Sequence, residues 1–188
     1  MSAQDSKLFV ISGPSGAGKG TLVTRVRELR SNLGLTVSAT TRAPRKGEVD
    51  GVNYFFLTRE EFDRRVANGE FVEWAEVHGN CYGTLVSEVT SKLASGASLI
   101  LEIDVQGALQ VKERFPEAVL IFIKPPSLEV LRERLVGRGT ETPETIELRM
   151  ANAADELTLA DRYDDVVVND DLDRATDELV RVLDMHER

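Results

Sequence analysis

The chain carries a single cysteine, Cys81, in 188 residues. No internal disulfide is possible, and a reducing, cytoplasmic compartment is the expectation. Basic side chains are also scarce, with 23 Lys+Arg against 32 Asp+Glu and a formal net charge of −9. So acidic a surface suits neither a nucleic-acid backbone, which needs a basic face, nor an anionic membrane. No apolar run approaches the roughly 18 residues of a spanning helix. Residues 1–7 lack an apolar run behind a basic flank and are not expected to be a signal peptide. There is no internal repeat, low-complexity stretch or long linker. His and Cys nowhere show a metal-ligand spacing, so His78 and His186 are expected to be bystanders. What remains is an ordinary soluble balance, 41% hydrophobic and 29% charged, long enough for one self-sufficient core.

The charge is unevenly spread. Residues 1–50 hold eight bases and four acids, a net of +4, so the remaining residues sum to −13. A small basic segment in an acidic chain points to a local anion site. Strand and helix patterns alternate. Strands are predicted at Leu8–Ser12, 98–104, 119–123 and 166–168, and helices at 21–30, 107–115, 128–135 and 172–185. Thr142-Pro143 reads as an N-cap and first helical position, opening a helix that runs to about Tyr163. Such alternation implies an α/β fold, a parallel sheet wrapped by helices. Residues 35–95 break the rhythm with aromatic runs at 54–57 and Phe71–Val77, a turn at Gly79-Asn80 and a short helix capped by Thr58 and Glu61. They are predicted to be a small mixed α/β insertion. The glycine-flanked segment 137–142 is predicted to be a lid.

The strongest motif is Gly13-Pro14-Ser15-Gly16-Ala17-Gly18-Lys19-Gly20. It follows an apolar strand and opens a helix, as a phosphate-binding P-loop must. Its glycines let backbone N–H groups turn inward, the helix N-terminus adds partial positive charge, and Lys19 adds a full cation. Gly20 stands where most such loops place a Mg²⁺-ligating hydroxyl. Thr21 follows and is expected on the α-phosphate, leaving Mg²⁺ to water and nucleotide oxygens. Farther on, Arg42 and Arg45 offer two guanidinium forks beside hydroxyls, suited to a second phosphate. Tyr54 and Tyr82 sit among turn residues. Taken singly, each tyrosine is read as core rather than ligand.

Six segments in order, GPSGAGKG, SATTRAPRKGEVDGVNYFF, EFVEWAEVHGNCYGT, LEIDVQGA, GRGTET and VVVNDDLD, resemble guanylate kinases over nearly the whole chain. The resemblance implies transfer of the ATP γ-phosphoryl group to GMP or dGMP, with Mg²⁺ and ATP as co-substrate. It also implies three parts: a core (1–34, 96–136, 163–188), a GMP-binding insertion (35–95) and a short helical lid (137–162). By the resemblance, Arg42, Arg45, Tyr54 and Tyr82 hold the GMP phosphate, Ser38, Glu73, Thr84 and Glu102 read guanine, and Asp104 belongs to the GMP site as well. Guanine shows N1–H and N2–H₂ as adjacent donors, which one carboxylate accepts together. Adenine would turn an acceptor toward it. Glu102 and Asp104 are predicted two apart on one strand face, with Asp104 organising the water shell of Mg²⁺. Arg138 and Arg149 are implied to clamp the transferring phosphoryl group, Arg134 to stack on adenine, and Asn169 to lie near it. Cys81 is expected to be packing. Two other readings compete: a non-catalytic binding module of the same fold, against which Lys19 and the lid arginines argue, and a kinase for another nucleotide, against which Glu73 and Glu102 argue. Both a monomer and a homo-oligomer are compatible with this sequence.

Overall fold

The computed structural model describes residues 6–77, 79–137 and 142–188. Its centre is β1 (Leu8–Ser12), an unbroken apolar run buried along its length. Such a run suits a strand covered on both faces. Helix α1 (Lys19–Leu29) follows, and buries Leu22, Val23 and Val26. The parallel partners of β1 come much later, β7 (Leu99–Glu102) on one side and β8 (Val119–Lys124) on the other. The short β2 (Gly34–Leu35) and the late β9 (Asp165–Val168) complete a five-stranded parallel sheet in the order β2-β7-β1-β8-β9. Side chains alternate across it. Phe9 and Ile11 join Leu22 and Val26 of α1 and Leu179 and Leu183 of α7 (Leu172–His186) on one face. Leu8 and Val10 join Val105, Ala108 and Val111 of α4 (Val105–Arg114) on the other.

A second sheet interrupts this plan. It orders β3 (Ala39–Thr40), β4 (Phe55–Phe56), β5 (Phe71–Val77) and β6 (Asn80–Leu85) as β4-β3-β6-β5. Helix α2 (Arg59–Ala67) packs Phe62 on Phe71, ring centroids 4.3 Å apart. Thr58 caps α2 by accepting from the Glu61 N–H at 3.1 Å. Cys81 is fully buried beside Ala39, Phe62 and Leu85, a packing residue as expected. Helix α3 (Val86–Ala94) leads back to the first sheet. A third small core joins α5 (Leu128–Gly137) to α6 (Pro143–Leu157), with Leu131 and Leu135 against Met150 and Ala153. Thr142 caps α6 with Pro143 in its first turn.

Several predicted boundaries and elements change. The strand predicted over 98–104 stops at Glu102, because the Asp104 side chain accepts from the Gly107 N–H at 2.7 Å and starts α4 there. The helix predicted to Tyr163 stops at Leu157, and a separate 3₁₀ turn occupies Ala160–Arg162. The turn predicted at Gly79-Asn80 includes the first residue of β6, a strand the sequence reading omitted. Helix α3 was also unforeseen.

Candidate active site

Between β1 and α1 the chain turns through Gly13, Gly16 and Gly18 at φ of 142°, 90° and 93°. A side chain is excluded at two of them. A Cβ on Gly13 would lie 2.2 Å from the Ile123 carbonyl oxygen, and one on Gly18 would lie 2.3 Å from Asn169 Nδ2. The Lys19 ammonium donates to the carbonyls of Gly13, at 2.5 Å, and Pro14, at 3.1 Å, so it is held over the loop. Asn169, just past β9, donates to the Ala17 carbonyl at 2.8 Å. Arg134 of α5 donates to the Asn169 carbonyl at 2.9 Å. The predicted adenine pair therefore braces the loop. It also lines an open cavity of about 520 Å³ with Gly16, Gly18, Thr21 and Asp170. Arg149 of α6 reaches the loop, donating to Ser15 Oγ at 2.5 Å. Arg138 and His78 lie outside the described residues.

The insertion gathers most of the predicted acceptor site. Arg42 stands 5.4 Å from the centre of the Tyr54 ring, and Tyr54 and Tyr82 meet edge-on at 6.2 Å. Sequence reasoning missed Glu48, which takes the Arg42 guanidinium bidentately at 2.9 and 3.0 Å. The pairing raises the pKa of Arg42 and lowers that of Glu48. Its signal was an acid six residues from Arg42 in an otherwise basic run. Arg45 is exposed, and its backbone N–H donates to Glu48 at 2.7 Å. Across the sheet, Glu73 and Thr84 are register partners, and Ser38 is one residue short of the Ala39–Gly83 pair, on the Thr84 side. Thr84 donates to Glu73 Oε1 at 2.8 Å, with both residues buried. Burial drives the Glu73 carboxyl up to about 7, helped by Asp104 and opposed by the Thr84 hydrogen bond.

The predicted arrangement of Glu102 and Asp104 on one strand face is corrected. Asp104 is the N-cap of α4, close enough to Glu73 of the insertion to raise its pKa. A Cβ on Gly107 would sit 3.3 Å from Glu73 Oε2 and 3.4 Å from Asp104 Oδ1, so the two carboxylates flank one glycine. Glu102 lies against the P-loop instead, where a Cβ on Gly20 would be 3.5 Å from its Oε1. Its pKa is raised by burial and lowered by the charge of Lys19. Glu156, on α6, feels the same two influences and the repulsion of Asp104. Sequence reasoning passed over it as one acid among many. No three His, Cys, Asp or Glu among the described residues cluster as a metal site. One carboxylate beside a loop with Gly20 in place of a ligating hydroxyl fits Mg²⁺ held by water and nucleotide oxygens.

One anion-ready site thus lies at the C-terminal edge of the parallel sheet, and a second lies on the inserted sheet, with a buried carboxylate suited to a base edge. The family model for guanylate kinase matches residues 5–186. The chain belongs to the guanylate kinase family. It is 52% identical over 183 residues to a guanylate kinase of Halalkalibacterium halodurans, covering 97% of this chain and 90% of that one. It is 56% identical over 178 residues to a guanylate kinase of Gloeobacter violaceus, covering 95% and 87%. The crystal structure of guanylate kinase from Anaplasma phagocytophilum superposes with a TM-score of 0.75 at 37% identity, covering 98% and 87%. None of the described helices is long and apolar enough to cross a membrane.

Proposed function

We propose that the chain transfers the γ-phosphoryl group of ATP to GMP, giving ADP and GDP. dGMP is a second acceptor, because it offers the same base and phosphate. The observation that carries the reading is Glu73, a buried carboxylate oriented by Thr84 on the sheet that also carries the Arg42–Tyr54–Tyr82 cluster. ATP lies along the loop 13–20, with its phosphates on the inward N–H groups and on Lys19. Thr21 meets its α-phosphate, and its adenine occupies the cavity beside Arg134 and Asn169. GMP binds through its phosphate to Arg42, Arg45, Tyr54 and Tyr82, displacing or sharing the Glu48 contact of Arg42. Its base meets Ser38, Glu73 and Thr84.

The geometry argues for exchanging the two roles first read from LEID. Asp104, flanking Gly107 with Glu73, serves the base, and Glu102, beside Gly20 and Lys19, would hold the water shell of Mg²⁺. Bound there with ATP, Mg²⁺ supplies charge neutralisation of the β- and γ-phosphates. An ionised GMP phosphate oxygen needs no base to deprotonate it. Arg149, with Arg138, closes over the equatorial oxygens, a contribution worth roughly 10³–10⁵ in rate for an arginine so placed. On this reading the three parts are a core, an insertion at 35–95 that carries the acceptor and a lid at 137–162. The reducing cytosol is the compartment proposed, from the single buried cysteine.

The test is a panel: ATP–Mg²⁺ with each of GMP, dGMP, AMP, UMP, CMP and dTMP, following ADP release. GMP and dGMP should dominate. Release with none of them would end the enzyme reading in favour of a binding module. A preference for a pyrimidine would end the base assignment.

A further inference from the structure

The base pocket proposed above contains two carboxylates where one would accept both guanine donors. Glu73 and Asp104 face each other across Gly107, whose missing Cβ leaves space on the order of one small group between them. No described cation is paired with Glu73. From β6 it meets the neutral Thr84 hydroxyl, and from α4 it meets Asp104. Arg114, at the far end of α4, gives its guanidinium to the carbonyls of Gly69 and Phe71. Glu76, one strand face away, is paired with Arg59 of α2 at 2.9 Å. Thr84 fixes one oxygen of Glu73 and leaves the other directed at Gly107.

A carboxylate and a carboxylic acid present opposite patterns to a purine. The ionised form accepts twice, which matches N1–H and N2–H₂ of guanine. The protonated form donates once and accepts once, which matches N1 and N6–H₂ of adenine. We propose that the purine preference of this chain is set by one proton on Glu73: ionised, the pocket takes guanine nucleotides, and protonated, it takes a 6-aminopurine nucleoside monophosphate and phosphorylates it. The inference rests on the functional reading above. The added reaction follows the same course. A phosphate oxygen of AMP bonds to the γ-phosphorus as the bond to the β,γ-bridging oxygen breaks. Both products are ADP, and the proton on Glu73 stays in place. Burial and the second carboxylate bring Glu73 up to about 7, so both forms are populated in ordinary buffers.

The experiment measures kcat/KM for AMP and for GMP between pH 6 and 8.5, with ATP–Mg²⁺ fixed. Titrations of Lys19, of the nucleotide phosphates and of the lid are common to both acceptors and cancel in the ratio. If GMP needs the ionised form and AMP the protonated one, the AMP/GMP ratio rises about tenfold per pH unit of acidification, whatever the midpoint. Glu73→Gln carries the donor–acceptor pattern of the protonated acid permanently. Its ratio should favour AMP and stay flat with pH. A flat ratio in the unmodified chain overturns the proposal, as does a slope that survives in Glu73→Gln. The unmodified chain decides by its own slope if the variant does not fold. GMP turnover with a flat ratio removes this inference alone. No GMP turnover at any pH removes the functional reading and this inference with it.

Discussion

Glu73 should make the folded chain less stable as pH rises, and replacing it should remove that dependence. The carboxyl moves from an ordinary 4.5 up to about 7 because it is buried. The folded state therefore binds the proton more tightly than the unfolded chain does. Stability linked to this proton is complete below about pH 4.5 and is lost as pH climbs through 7. The whole shift corresponds to about 3 kcal/mol, of which about 2.5 kcal/mol falls between pH 5 and 8.5. Glu73→Gln keeps the shape and an acceptor for Thr84 but carries no charge. Urea denaturation of both proteins at each pH gives a stability difference in which all distant groups cancel. That difference should move in favour of the variant by about 2.5 kcal/mol between pH 5 and 8.5, or roughly 5–10 °C in Tm for a domain of this size. Any fixed cost of the amide, such as a weaker bond to Thr84, shifts the curve without tilting it. A difference that stays level across this range would refute the placement of a desolvated carboxyl here. The readout needs no substrate, so it tests the site independently of turnover.

Lys19→Ala should lower turnover by orders of magnitude while circular dichroism and Tm stay near those of the parent; near-normal turnover would remove Lys19 from the mechanism. Gly18→Ala forces a Cβ onto a backbone at φ 93° and 2.3 Å from Asn169 Nδ2. The left-handed strain costs about 1–2 kcal/mol, and loss of the Asn169 bond to Ala17 adds about 1 kcal/mol; an unchanged denaturation midpoint would contradict this. Leu135→Ala empties part of the small core between α5 and α6, with an expected loss of about 2–5 kcal/mol. Because Leu135 also backs Gly16, the KM for ATP should rise more than that for GMP, and equal rises would separate this core from the nucleotide loop.

Much of this was legible because the signals are local. An apolar run ending in glycines and Lys19 specifies β1, the loop and α1 within about two dozen residues. Thr142-Pro143 marks the start of α6 because an N-cap hydroxyl and a residue without an N–H both suit a first turn. The strand Phe71–Val77 was read to the residue. Misreadings occurred where a nonlocal or competing bond decides. The apolar run through Ile103 suggested a longer strand, but the Asp104 side chain captures the Gly107 N–H and starts α4. That single bond fixes Asp104 at the start of α4, where its carboxylate faces Glu73 across Gly107, which no strand periodicity reveals. The two-residue strands β2 and β3 lack any period of their own and exist because longer neighbours pair with them. Glu48 gave a faint signal as an acid in a basic run, but its pairing with Arg42 is made only when the loop folds back.

The base pocket is built half from each sheet. Glu73 and Thr84 stand on the four-stranded sheet, while Asp104 and Gly107 belong to the helix that leaves the five-stranded one. A purine seated between them would be a removable crosslink, and its affinity would include the work of fixing the distance between the sheets. Arg114 performs the same task permanently, tying the far end of α4 to the carbonyls of Gly69 and Phe71. The nucleotide and this arginine are then two rivets in one seam. Loosening the arginine should be felt as weaker nucleotide binding three turns away, with no contact to the nucleotide lost.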